Sequence, residues 1–301
     1  MGFSSINDLE TEIKTNSKTY SYYWHKAFPT TVVGSTLYQR WYDYGRGFGN
    51  PVNNLYAGTN LAWTPCDEST GNGTQIFGIP HGGNVSPDTK HIINCSLGSS
   101  TTAPASGKYV LVDVQGYWPG INLNISTLQS LTGTPGSNLR YANGAGCYLY
   151  LVCTTAQGAT ATPNTTISYT NQNGTTGRSI IKQTPISAVI SSLVNNSTSA
   201  GFDTCGGPFY PLSGGDTGVA NVASIQFGAA MGAGVAALCL ARPLLSTHLT
   251  SSATSVEKNL VYHNPILPRV RDGACLNWLY WPNGLSTTST ITAGHLQFAW
   301  G

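Results

Sequence analysis

The sequence predicts an all-β fold, a β-sandwich or jelly roll with a short N-terminal helix or arm, on three observations. Only 9% of the 301 residues are charged, against about a quarter in a typical soluble domain, so Lys/Glu-rich helical stretches are scarce. The 35 glycines and 16 prolines punctuate the chain with turns. Between those turns apolar and polar residues alternate at period two, as in residues 108–115 (KYVLVDVQ), where Val110, Val112 and Val114 share one face.

Taken in order, residues 4–16 (SSINDLETEIKTN) are the helix. Ile6, Leu9 and Ile13 recur on one side, Ser5 or Asn7 can cap the start, and acidic residues in the first turn suit the helix dipole. So short a helix reads as an arm or lid. Residues 20–44 are rich in aromatics, and Trp24, Trp41, Tyr42 and Tyr44 would serve equally to line a groove for sugars or to fill a flat interface. A turn-rich region, 50–87, follows. Strands are expected at 108–115, 146–154 (GCYLYLVCT) and 165–170 (TTISYT), and NQNGTTGR after the last is a turn. Residues 180–194 fit either a strand or a short helix, and 246–268 read as a polar loop. The final strands are 274–281 (ACLNWLYW) and 290–300. The count comes to about eight to ten strands, which suits a sandwich or jelly roll. Residues 1–50 form the helix and aromatic arm and 51–301 the β domain, with no Pro-rich or charged linker to part them.

The longest apolar run is 219–241. It is long enough to span a bilayer, but Asn221, Ser224 and Gln226 sit in its first half, and Gly228, Gly232 and Gly234 interrupt its middle. At period two it becomes two strands, 219–227 and 235–241, joined by a glycine turn into a buried β-hairpin. No membrane partner is expected.

A formal net charge of +2 without a Lys/Arg cluster lacks the electrostatic footprint of a nucleic-acid binder. The seven cysteines include no C-x-x-C pair, and several lie inside apolar strands, so they read as free, buried thiols. The first residues, MGFSSINDLETEIKTN, lack the apolar core of a signal peptide, which implies folding in a cytoplasm.

Catalytic patterns are weak. There is no G-x-S-x-G elbow. Cys205 in DTCGGP would need His81, His91, His248, His263 or His295 as a base, and no spacing rule connects them. Asp43, Asp67, Glu68, Asp113 and Asp203 are available for a glycosidase pair, yet nothing singles two out. His81, Asp88 and His91 crowd into one loop region, the only place where metal ligands gather in the sequence. GAAMGAGVAA lacks the Lys of a phosphate loop and reads as a glycine-rich turn. No catalytic, cofactor-binding or metal-binding residue is assigned, and no cofactor is expected.

Several stretches resemble virion structural proteins of tailed bacteriophages: MGFSSINDLETEI, RWYDYGRGFGNP, HGGNVSPDTKHIIN, DVQGYWPGINLN, TISYTNQNG, FYPLSGGDTGV, LCLARPLL and LPRVRDGACLNWL. The resemblance covers nearly the whole chain and consists of turns and strand edges, so it implies a place in a particle and not a reaction. It implies a non-enzymatic protein, made in the host cytoplasm and carried in the virion, with a head-surface decoration or cement protein as the first expectation. Its partners would be other copies of itself and other virion proteins, the major capsid protein among them, met through β edges, the N-terminal arm and aromatic patches. The alternative is a host-attachment module of the tail or baseplate that binds a surface glycan with Trp24, Trp41, Tyr42, Trp118 or Trp281 as stacking platforms. A third reading is a hydrolase with a site near residues 81–91.

Overall fold

The computed structural model describes residues 2–27, 41–45, 56, 58–68, 71–72, 75–76, 78–99, 107–158, 164–183, 190–194, 207–251, 254–263, 266–282 and 291–301. The first half contributes α1 (Ile6–Lys14), β1 (Thr19–Ala27), β2 (Tyr42–Gly45), β3 (Thr64–Pro65), β4 (Gly71–Asn72), β5 (Gln75–Ile76), β6 (Lys90–Ser99), β7 (Gly107–Asn122), β8 (Gln129–Ser130) and β9 (Tyr148–Thr155). The second contributes β10 (Asn164–Asn171), β11 (Arg178–Gln183), β12 (Val219–Phe227), β13 (Val235–Leu249), β14 (Ser255–Asn259), α2 (Leu260–His263), β15 (Arg269–Val270), β16 (Leu276–Pro282) and β17 (Ile291–Trp300).

The fold is all-β and antiparallel, as the alternation predicts. A first sheet runs β1-β17-β6-β14, with β15 also on β6; a second runs β2-β16-β7-β13-β9, with β3 on β7; a third runs β11-β10-β12-β8. The second sheet is organised on β7 and β13, which pair from Val235↔Asn122 to Leu249↔Gly107. Three register shifts interrupt this ribbon, and each bends it. Pro119 and Pro243 sit at two of them, where a missing backbone N–H costs no ladder bond. That is why β7 extends well past the expected 108–115, through Gly-Tyr-Trp-Pro-Gly. Beside Pro119, Gly120 has φ +76°, and a Cβ there would come 2.6 Å from the Thr59 backbone.

The first and third sheets pack on one face of that ribbon. At one end Trp24, Ile92, Leu97, Leu296 and Phe298 meet Tyr109, Leu111, Leu245 and Trp278. At the other, Ile167, Tyr169, Val222, Ile225 and Phe227 meet Trp118, Ile121, Leu151 and Leu238. The opposite face holds a third core, with Val110, Val112, Val114, Tyr150, Leu193, Cys239 and Leu279. Among the described residues no other sheet covers this core, and the second sheet curls around it. Residues 190–194 bridge its two edges: Cys153 N donates to Ser192 O at 2.9 Å and Val194 N to Leu151 O at 2.6 Å on the β9 side. On the β2 side Asp43 N donates to Ser191 O and Leu193 N to Trp41 O, both at 2.8 Å. The sheet thus closes into a small barrel.

The expected hairpin at 219–241 is corrected. Both strands form where the pattern places them, but β12 and β13 belong to different sheets and face each other across a core. Burial explains the choice. β12 hides Val219, Val222, Ile225 and Phe227 and leaves Ala223 and Gln226 exposed, as an outer-layer strand does. β13 is buried on both faces from Ala236 to Ala241, which only a middle-layer strand can be. The linking residues bond to the end of β7 instead, through Met231 N to Leu123 O and Leu123 N to Gly234 O, both at 3.0 Å.

The polar loop expected at 246–268 is also corrected: β13 continues to Leu249, and β14 and α2 follow. Edge strands carry polar outward residues, so β14 has too few apolar positions to announce itself. Residues 180–194, open in the sequence, are strand at 178–183 and bridge the barrel at 192–193. The helix lies close to its expected span, capped by Ser5, whose side chain accepts from Asp8 N at 3.1 Å. Leu9, with Ile13, packs on Ile93 and Ala299, so the helix is docked on the first sheet. Lys18 ties it down further by bridging Glu12 at 3.0 Å and Asp88 at 2.9 Å. β1 pairs with β17 along its whole length, from Thr19↔Ala299 to Ala27↔Ile291.

Candidate functional site

A cleft of about 360 Å³ opens where α1 meets the first sheet. The chain before the helix forms one wall and α2 with Leu267 the other; Phe3, Ile6, Leu9 and Val261 line it, with His91 among them. Of the lining residues Ile6 is 56% exposed, and next in the chain to Val261 and Leu267 of the far wall Tyr262 is 73% and Ile266 83% exposed. Large apolar side chains exposed together in this way mark contact sites. The imidazole of His91 brings no charge, since burial holds its pKa below the usual range. Its Nδ1 lies 3.3 Å from Leu267 O, and Phe3 packs beside it with ring centroids 5.8 Å apart. The cleft can bind an apolar surface; its two hydroxyls, Ser4 and Ser5, are both engaged with Asp8. The sequence marked the helix, but the opposite wall fell in the stretch read as a polar loop.

The aromatic platforms are redistributed. Trp24, Trp41 and Trp118 are buried core residues, so none offers a sugar a ring. Trp281 is half-buried and stacks on Trp41, with centroids 6.4 Å apart. The side chains of Tyr42 and Tyr44 lie outside the described residues. On β1 the solvent-facing ring is Tyr23, the neighbour of inward-pointing Trp24. Period-two alternation allows only one of the two to face the core.

The catalytic candidates scatter. Cys205 and Asp203 lie outside the described residues, as does the His263 side chain. His81 is fully buried, Asp88 pairs with Lys18, His91 lines the cleft, His248 is exposed on β13 and His295 stacks under Tyr23. The metal grouping of His81, Asp88 and His91 is therefore not assembled, and among the described residues no three His, Cys, Asp or Glu side chains converge on a metal position. Of the carboxylates, Asp43 lies inside the barrel and Asp113 between the two outer cores, both engaged by protein groups, while Glu68 contacts His81. The six described cysteines are free and buried. Among the described residues no helix is long and apolar enough to cross a membrane.

These buried polar groups serve the fold. Lys90 donates to His81 Nδ1 at 3.0 Å, to His81 O at 2.8 Å and to Gly83 O, which uses all three ammonium protons. With Nδ1 accepting, His81 carries its proton on Nε2, 3.1 Å from Ala274 O. Burial, then the Lys90 charge, keeps this imidazole neutral by lowering its pKa. Burial likewise pushes the Lys90 ammonium down to about 8.

Lys26 gives a measurable pH effect. Burial pushes its ammonium down to about 7, opposed by the nearby Asp43 carboxylate. An unfolded chain holds the same proton up to about pH 10.4. Unfolding therefore takes up a proton between these limits, and the stability owed to this group rises with pH across the window. The contribution is up to about 1.4 kcal/mol per pH unit. Lys26→Met is expected to flatten the stability profile by that slope, as urea unfolding of both proteins across the window measures.

Compared with known proteins, the chain matches no protein-family model, and no curated protein matches it.

Proposed function

We propose that this protein is a non-enzymatic structural subunit of a particle, a component of a tailed-phage virion that docks on neighbouring subunits. The observation that carries the reading is the open cleft beside α1, lined by Phe3, Ile6, Leu9, Val261 and Leu267, with Ile6 56% exposed and the chain neighbours Tyr262 and Ile266 of its far wall more than two-thirds exposed. A chain with 9% charged residues meets little repulsion between copies and little desolvation cost at such a contact. The resemblance to virion proteins supports the same reading, with a head-surface position favoured and the capsid shell as partner.

The experiment is light scattering of the purified protein over a range of concentrations, together with electron microscopy of the native particle. Concentration-dependent association and repeated copies in the particle are expected. Ile266→Glu places a charge on an exposed apolar side chain beside Leu267 of the cleft wall and is expected to weaken self-association at least about tenfold. A protein that stays monomeric throughout and has no ordered copies in the particle overturns the proposal.

A further inference from the structure

We propose that the outer face of the first sheet binds a neutral oligosaccharide, with Tyr23 as its stacking platform. The register lays that face out as rows running across four strands. The middle row is Tyr23, His295, Ser96 and Glu257. Beside it lies Ser21, Gln297, Asn94 and Asn259, and on the other flank His25, Ala293, Gly98 and Ser255. With strands about 4.8 Å apart, a row spans about 14 Å. The face is therefore flat and polar along one side, and low along the flank where Ala293, Gly98 and Ser255 have little bulk.

Three features point to a sugar. Tyr23 is 69% exposed, and its ring lies on the His295 imidazole with centroids 4.3 Å apart and 18° between planes, so it is held flat. A cross-strand pair stabilises a sheet by itself, but that role does not require an aromatic ring so open to water. The second feature is hydrogen-bonding capacity. Asn94 Nδ2 donates to Glu257 Oε1 at 2.7 Å, which fixes the amide, yet Asn94 Oδ1 and His295 Nε2 have no hydrogen-bond partner among the described residues. Buried polar atoms left so are costly; the groups that a sugar meets with Tyr23 in place are Ser21, Gln297 and Glu257 on the same face, whose hydroxyl, amide and carboxylate suit sugar hydroxyls. The third is charge. Glu257 puts a carboxylate at the end of the middle row, and the ammonium of Lys258 turns away to Ser246 O at 3.3 Å, so the face disfavours phosphate, sulfate and sialic acid. Away from the end where α1 docks, the apolar side chains that the described residues add to this face beside Tyr23 are Ile291, 36% exposed, and Ala293.

This site is separate from the cleft beside α1 and does not depend on the assembly reading. The test is an oligosaccharide array carrying neutral and anionic glycans, followed by calorimetry with maltohexaose, cellohexaose and N-acetylchitohexaose. At least one neutral oligosaccharide is expected to bind. Tyr23→Ala is expected to weaken it at least about tenfold and Glu257→Gln severalfold, while Tyr23→Phe keeps the stacking surface and most of the affinity. Ile266→Glu is expected to leave sugar binding unchanged, which separates this site from the assembly surface. Because Tyr23 and Glu257 are exposed, their variants are expected to melt within a few degrees of the parent. An array with no neutral binder overturns the proposal, as does a neutral binder insensitive to both Tyr23→Ala and Glu257→Gln.

Discussion

Arg140→Met is expected to lower the unfolding free energy by about 3–5 kcal/mol, the cost of leaving a buried charge without its partner. Asp113 lies on the face of β7 that carries both outer cores, at the junction between Leu111 in one and Trp118 in the other. Its side chain is 0% exposed. Arg140 grips it with two nitrogens, Nε at 3.2 Å and Nη2 at 2.5 Å, and Cys275 N donates to the same carboxylate at 3.0 Å. The guanidinium also donates to Cys66 O at 2.6 Å and Val114 O at 2.5 Å, so one side chain ties three segments together. Met fills similar space but restores none of these bonds. Asp113→Asn combined with Arg140→Met removes the charge as well, and is expected to recover a large part of the loss. Urea unfolding of the two single variants and the double variant measures the coupling. A loss under about 1 kcal/mol for Arg140→Met would show that the junction is not held by this pair.

Asp43→Ala is the second large effect. Inside the barrel the Asp43 carboxylate accepts from Asn277 Nδ2 at 2.6 Å, from the Tyr56 hydroxyl, and from the Tyr150 hydroxyl at 3.4 Å. The two tyrosine oxygens are themselves 3.1 Å apart. Removing the acceptor strands these donors where water cannot reach them, at about 1–3 kcal/mol each. A total near 3 kcal/mol or more is expected, a fall in melting temperature of about 5 °C or more for a chain this long. Lys26 would also lose the charge that opposes its desolvation. Asp43→Asn keeps one acceptor oxygen and is expected to lose much less. Calorimetry on both variants decides it: equal losses would mean that the packed volume, and not the acceptor, matters at this position.

The two polar clusters show where sequence reading stops. Asp43 and Asp113 stood out in the sequence only as spare carboxylates for a glycosidase, because nothing local distinguishes a catalytic acid from a structural one. Their roles depend on Tyr56, Tyr150, Asn277 and Arg140, from 13 to 234 residues away along the chain and beyond any local pattern. The tryptophans teach the same lesson at shorter range. Trp24 looked like a platform and Tyr23 did not, although alternation requires that one of them face the core; the pattern supplies the period but not its phase. The cleft went unseen for a related reason, since Val261 and Leu267 fall in the stretch read as a polar loop and form a wall only opposite α1.

Local chemistry settled the rest. Low charge, abundant turn residues and period-two runs dictate antiparallel strands, Ser5 and the Ile6, Leu9, Ile13 spacing dictate the helix, and apolar surroundings dictate buried thiols. These properties depend on neighbouring residues, so the sequence carries them directly. The placement of β12 and β13 in different sheets, the barrel closed by residues 190–194 and the outward face of β1 were decided by tertiary structure. Each depends on which surfaces are buried together, and that burial exists only once segments far apart in the chain have met.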